Sequence, residues 1–197
     1  MIEDAFGDLA SGVWALPALF ALVFGDAFLV VVPGEAAVTA FAALSVVHGQ
    51  PALPAVVVVA AVAAFAGDAT CYAFGRSVGL DRWAWARHPR VLALRSWAHD
   101  RLQRSTAAIV FTARFIPFAR IAVNLTAGAE RVPAPRYLGM SALAALAWAC
   151  YQSFIGAAIA RLLPDAPVAA VVISIAVALA MGWGLDVALT RRLRPPG

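Results

Sequence analysis

The sequence predicts an all-α, polytopic integral membrane protein with about four spanning helices, two opposed re-entrant hairpins and one interfacial amphipathic helix. Three observations predict it. Of 197 residues, 63% are hydrophobic and 13% charged, with a mean hydropathy of +0.83; a soluble domain has roughly 45–50% apolar and about 25% charged residues. The apolar residues fall into runs of bilayer-spanning length, and two of those runs break at charged or proline residues. So few charges cannot cover a compact globule with polar surface, which excludes an ordinary cytosolic enzyme and a disordered chain. A net charge of +4 would suggest a nucleic-acid binder if it stood alone, but the basic residues sit between apolar runs.

The runs can be taken in order. A spanning helix needs about 20 predominantly apolar residues to cross a hydrocarbon core of about 30 Å. Residues 13–32 reach that length, interrupted by Asp26. The N-terminus before them carries Glu3, Asp4 and Asp8 and no basic residue, so it lacks a signal peptide's basic region and this run is expected to stay. Residues 35–47, after Pro33-Gly34, are too short to span. Residues 52–74 are long enough, with Asp68 inside. Residues 106–127 are broken by Arg114, Pro117, Arg120 and Asn124. Residues 137–160 and 168–189 are clean spans.

The two irregular runs are the informative ones. A charge at the bilayer centre costs at least about 2.5–3.5 kcal/mol on insertion scales, and proline inside a helix removes a backbone hydrogen bond. Broken backbone at membrane depth survives only inside protein or beside a water-filled cavity. Residues 33–48 and 106–128 are therefore expected to be re-entrant hairpins. A single membrane domain over 1–197 results, with its core at 20–160 and a last span at 168–190.

Arginine placement sets orientation. All fifteen basic residues are arginine; seven lie in 76–104, and Arg191, Arg192 and Arg194 lie in the tail. Cytoplasmic loops are enriched in arginine and lysine, so both regions are expected to be cytoplasmic. The hairpins then enter from opposite faces, each followed by a span, which is the outline of an inverted repeat with a site near the midplane. Within 76–104, Trp83, Trp85, Leu92, Leu94 and Trp97 alternate with arginines. That pattern suits a helix lying in the headgroup layer, or else an ordinary cytoplasmic loop packed on the spans.

Four short strings carry the chemistry. The first is Gly25-Asp26, followed nine residues later by Glu35 in Pro33-Gly34-Glu35. The second is Gly67-Asp68-Ala-Thr-Cys-Tyr72-Ala-Phe-Gly75-Arg76-Ser-Val-Gly79. The third is Arg114-Phe115-Ile116-Pro117-Phe118-Ala119-Arg120, and the fourth is Ala127-Gly128-Ala-Glu-Arg131-Val-Pro133. In this order and spacing the set resembles the DedA family, also called the SNARE-associated Golgi or VTT-domain family, over about residues 20–160. The resemblance implies a polytopic bacterial inner-membrane protein with two opposed re-entrant hairpins. It also implies movement of lipids across the bilayer, including recycling of undecaprenyl phosphate and translocation of phospholipid, with dependence on the proton motive force. Eukaryotic relatives look like lipid scramblases.

Carried over by residue, the family's acidic position before the first hairpin matches Asp26, where the family often has Glu, and its second acidic position matches Glu35. Its two hairpin arginines match Arg114 and Arg120. The family often has glycine after the hairpin proline, where this chain has Phe118.

The residues support these assignments by their own chemistry. Arginine is always charged and offers a planar fork of donors suited to phosphate. Arg114 and Arg120 straddle Pro117; on one continuous helix six steps of about 100° would separate them, and a turn at Pro117 could bring them to one site. Burial disfavours the charged form of a carboxylate and can bring its proton exchange near neutral pH, which makes Asp26 and Glu35 candidates for proton coupling. Plainer readings stand beside these. Asp26 and Glu35 could flank a turn at the outer interface. Arg114 and Arg120 could snorkel to headgroups or form structural ion pairs. Asp68 is expected to pair with a hairpin arginine or cap hairpin backbone, Asn124 to satisfy broken backbone, and Arg76 to anchor a span edge. Gly128 belongs to the fourth string as a supporting position. His48 reads as a solvated interfacial residue, and His88 and His99 show no ligand spacing.

The expected function is translocation of a phosphate-bearing lipid, undecaprenyl phosphate or a phospholipid, across the cytoplasmic membrane, with proton coupling as a candidate feature. Arg114 and Arg120 would hold the phosphate; Asp26 and Glu35 would move protons. The alternatives are a proton- or cation-coupled small-solute transporter and a non-transporting membrane-organisation factor. A lipid-phosphatase-type enzyme ranks below them, because the chain has no Ser/His/Asp grouping, no HExxH and no paired aspartate motif; no enzyme activity is expected. Cys71 and Cys150 are far apart and belong to no Cys/His cluster, so no metal or cofactor is expected. The expected partners are a lipid headgroup and protons, no nucleic acid, with a second copy of the chain as a further candidate.

Overall fold

The computed structural model describes residues 12–28, 34–78 and 117–163, together with isolated positions between and after these stretches. Among the described residues every regular element is helical: α1 Ala15–Asp26, α2 Gly34–His48, α3 Leu53–Val78, α4 Pro117–Ala129 and α5 Ala134–Leu162. Two of them are long and apolar enough to cross a membrane, Leu53–Ser77 with 25 residues and Ala134–Leu162 with 29. At 1.5 Å per residue they reach roughly 37 and 43 Å, beyond a hydrocarbon core of about 30 Å. These are the expected spans 52–74 and 137–160.

The chain divides into two compact units, Met1–Ala64 with Ala145–Gly197, and Phe65–Ala144. The first holds α1, α2, the start of α3 and most of the described end of α5. Helix α1 buries Ala15, Leu19, Val23 and Asp26, one stripe at helical spacing, and exposes Phe20 and Leu22. It has 12 residues, about 18 Å, so this element is too short for the span expected over 13–32. The apolar run does not mark where the helix stops. The helix ends at Gly25-Asp26, where the Ala27 and Phe28 amides turn back to the carbonyls of Phe24 and Gly25.

The expected hairpin at 33–48 also needs correction. Gly34–His48 is one uninterrupted helix of 15 residues, so no reversal lies inside it. No breaker falls between Gly34 and Gly49. Glu35 sits in the first turn, where the helix dipole favours an acid. Gly49, at φ 73°, supplies the left-handed residue that ends the helix. α1 and α2 pack on each other instead, and the last residue of α1 meets the first of α2: a Cβ added at Gly34 would lie 3.0 Å from the Asp26 carboxyl. At the far side of α2, a Cβ at Gly156 of α5 would come within 2.2 Å of the Thr39 carbonyl. Ala160 packs with Ala43 and Leu44.

The second unit holds the end of α3, Val110, Arg114, α4 and the start of α5. α3 and α4 are in backbone contact through glycine. A Cβ at Gly75 would meet the Leu125 carbonyl at 2.2 Å, and one at Gly128 would meet the Tyr72 carbonyl at 2.0 Å. Small residues that let backbones touch are what joins helices where lipid removes the hydrophobic drive. Tyr72, Val123, Ala127, Tyr137 and Ala144 pack around that junction.

Pro117 is not the interior helix breaker the sequence suggested. It is the first residue of α4, where its missing N–H has no intrahelical partner to lose. Arg114, just before it, lies in a turn. Most of the first limb of the 106–128 hairpin, most of the 76–104 segment and most of the 168–190 span lie outside the described residues.

Candidate functional site

The charged residues that interrupt the apolar runs meet in the second unit, around Asp68. Asp68 sits on α3 two turns before Gly75, so the same close approach that requires Gly75 and Gly128 brings α4 alongside it. Arg114 Nη1 donates to Asp68 Oδ2 at 2.6 Å, and each side chain is 2% exposed. Arg120, one turn into α4, places its Nε 4.0 Å from Oδ1, an ion-pair distance rather than a hydrogen bond. Asn124, one turn further, donates from Nδ2 to Oδ1 at 2.8 Å. Ser141 on α5 donates from Oγ to Oδ2 at 2.8 Å. Both carboxylate oxygens are therefore engaged, one mainly by α4 and the other by the turn and α5.

A second layer orients the first. Tyr137, fully buried, donates its hydroxyl to Asn124 Oδ1 at 2.5 Å, which leaves the amide nitrogen aimed at Asp68. Its ring stacks on Tyr72, with centroids 5.1 Å apart. The Tyr72 hydroxyl donates to the Val132 carbonyl at 2.5 Å and accepts from Arg76 Nη1 at 3.1 Å. The buried carboxylate, the stacked tyrosines and the turn after α4 thus form one connected network. A burial this complete is sustainable because the charge is paired and both carboxylate oxygens accept hydrogen bonds.

The predicted residues can now be placed. Arg114, Arg120, Asp68 and Asn124 come together: Arg114 lies in a turn ahead of α4 and Arg120 on α4, and both arginines reach one carboxylate. Asn124 serves this cluster through its amide side chain. Asp68 pairs with a hairpin arginine. Arg76 is exposed and bonded to Tyr72. Gly128 is the contact that admits α3 against α4. Asp26 and Glu35 lie in the first unit: Asp26 is buried at the end of α1 against Gly34, and Glu35 is half-buried in the first turn of α2. His48 is exposed at the end of α2, and His99 pairs with Glu130.

Sequence reasoning missed Ser141 and Tyr137, and gave Tyr72 no role. The available signal was spacing: Tyr137 and Ser141 lie one turn apart on the same face of an otherwise apolar span. It also missed Gln152 and Ser153 in the first unit, both buried, whose Oε1 and Oγ have no hydrogen-bond partner among the described residues. Among the described residues no group of three His, Cys, Asp or Glu side chains is placed to hold a metal ion.

Chemically, two guanidiniums, an amide N–H and a hydroxyl converge on the Asp68 carboxylate, a donor set suited to an anion. A family model described as the VTT domain matches residues 32–158, which contain this whole cluster. Comparison with curated proteins and with solved structures finds no match.

Proposed function

The chain belongs to the VTT-domain family, the domain of the DedA and SNARE-associated Golgi proteins, and on that premise we propose that it translocates a phosphate-bearing lipid across a membrane. The observation that carries the proposal is the convergence of Arg114 and Arg120 on one buried anionic position, with Asn124 and Ser141 as further donors. Guanidinium forks suit phosphate as well as carboxylate. Two apolar helices long enough to span supply the membrane context. Only a headgroup needs shielding if the lipid tail stays in the bilayer, so a chain of 197 residues is sufficient.

The finer features belong to the same reading. The membrane is a bacterial cytoplasmic membrane, with the arginine-rich segment and C-terminus on the cytoplasmic side. About four helices span it, and the segment 106–128 that carries Arg114 and Arg120 is a re-entrant hairpin. The substrate is undecaprenyl phosphate or a phospholipid, and Asp26 and Glu35 couple its movement to protons. The protein is not an enzyme: it holds the phosphate without breaking a bond to it.

The experiment is headgroup flipping in proteoliposomes with several phosphate lipids, with and without a pH gradient. Folded, inserted Arg114→Gln and Arg120→Gln proteins are expected to lose most of the wild-type rate. Wild-type rates in both would overturn the reading. A second reading, a non-transporting membrane-organisation factor, is favoured by one observation: Asp68 and Arg114 already satisfy each other. It expects no flipping from the wild-type protein under any condition tested.

A further inference from the structure

The anion receptor of the second unit is already occupied, and its occupant is part of the chain. We propose that Asp68 is a resident anion in the lipid-phosphate site, a positioning residue that holds Arg114 until a phosphate oxygen takes its place. This rests on the phosphate reading of Arg114 and Arg120 and adds to it how the site is kept formed when empty and what substrate must displace.

Four features argue for displacement rather than for a purely structural ion pair. The donor set is richer than the pair needs: Arg114, Asn124 and Ser141 all donate to the carboxylate. Asn124 is held in its donating orientation by the Tyr137 hydroxyl, so this donor is preorganised for an anion. Two guanidiniums face the one carboxylate, Arg114 Nη1 at 2.6 Å and Arg120 Nε at 4.0 Å; a phosphate presents more oxygens than a carboxylate and suits a pair of guanidiniums. Finally, the pair is asymmetric in what can move. Asp68, Asn124 and Ser141 are on helices, whereas Arg114 lies in the turn before Pro117, so it can change partner without unwinding α4.

Competition sets the consequence. A buried charge left without a counter-charge is strongly disfavoured, so Asp68 keeps Arg114 paired between substrates. It also makes phosphate binding an exchange of one anion for another, weaker than binding to a vacant receptor. Removing the carboxylate charge therefore strengthens anion binding, the opposite of what loss of a structural ion pair does.

The test is equilibrium titration of the detergent-solubilised full chain with two probes, short-chain phosphatidic acid and inorganic phosphate. The Asp68→Asn protein, which keeps an acceptor oxygen for Arg114, is expected to bind phosphatidic acid at least about tenfold more tightly than wild type. Asp68→Glu, which restores the charge, is expected to return the affinity to within about threefold of wild type. Asp68→Ser, which removes the charge with a smaller side chain and keeps every donor of the receptor, is expected to tighten binding by a factor similar to that of Asp68→Asn. It carries the test on its own if Asp68→Asn does not fold. A gain with phosphatidic acid alone assigns the site to a lipid headgroup; an equal gain with inorganic phosphate assigns it to the phosphate group irrespective of its source. Unchanged or weaker binding in folded Asp68→Asn, or in Asp68→Ser where that variant stands alone, overturns the inference. The outcomes separate: if Arg114→Gln weakens binding while Asp68→Asn does not strengthen it, the phosphate site stands and the resident anion falls. If Arg114→Gln leaves binding unchanged, the phosphate site itself falls.

Discussion

Arg114 donates to Asp68 across 46 positions of sequence, Nη1 to Oδ2 at 2.6 Å, with each side chain 2% exposed. Either residue alone at that depth would be a costly uncompensated charge. Each is the reason the other is tolerated, and the pair ties the turn before α4 to the middle of a spanning helix.

Removing one member leaves the other as a buried, uncompensated charge, which costs about 3–5 kcal/mol. Asp68→Ala and Arg114→Ala are each expected to destabilise the detergent-solubilised protein by that order. The double variant is expected to lose less than the sum, with a coupling of at least about 1 kcal/mol, as for residues in direct contact. A double-mutant cycle of denaturant unfolding measures it. Additive losses would show that the two residues do not hold each other.

Tyr137→Phe tests the second layer. The ring and its stacking on Tyr72 stay, but Asn124 Oδ1 loses its buried donor. An unsatisfied buried acceptor costs about 1–3 kcal/mol, so the thermal midpoint is expected to fall by that order. Leu138→Ala, on the next and only partly buried position, is expected to cost less. Equal effects would mean that the hydroxyl serves no purpose beyond filling space.

The residues of the site were legible because each one is expensive in an apolar run. Asp68, Arg114, Arg120 and Asn124 stand out from the surrounding sequence, and helix geometry suggested a turn at Pro117. Their partners were not legible in the same way, because an ion pair 46 positions long leaves no local trace. Ser141 and Tyr137 went unnoticed for a related reason: a single hydroxyl in a span costs little, and a tyrosine near a span end suits the interface. Helix ends were misplaced where hydropathy was the guide. Residues 13–32 are apolar apart from Asp26, yet α1 stops at that residue; residues 35–47 are too short to span and so suggested a hairpin, yet α2 runs through them as one helix.

The glycine contacts make a sharper stability prediction. At Gly75, Gly128 and Gly156 an added methyl would lie 2.0–2.2 Å from a backbone carbonyl of the neighbouring helix, and backbone cannot swing aside as a side chain can. Each Gly→Ala change is expected to lower folded yield and thermal midpoint clearly, since overpacking costs typically about 1–3 kcal/mol and here displaces a helix. Gly139, also helical, has nothing within 4 Å of an added Cβ. Gly139→Ala is expected to be neutral or to stabilise by about 0.5–1 kcal/mol, through helix propensity. Thermal scans of the four variants separate close packing from propensity, because propensity alone predicts stabilisation at every one of them.

Asp26 and Glu35 carry the remaining part of the functional reading, proton coupling. Asp26 is buried where α1 meets α2, and Glu35 lies in the first turn of α2, so both acids are built into the junction of the helix pair. Asp26→Asn and Glu35→Gln keep the shape of each side chain and remove its ability to give up a proton. If these acids carry the coupling, acceleration of headgroup flipping by an imposed pH gradient is expected to vanish in each variant, so that the rate with the gradient equals the rate without it. The same proteins are expected to bind phosphatidic acid through Arg114 and Arg120, which sit in the other unit. Proteoliposome flipping at matched and opposed pH, run beside the titration, measures both. A gradient response preserved in both variants would remove Asp26 and Glu35 from the coupling mechanism. Loss of lipid binding in either would instead give that carboxylate a part in holding the headgroup.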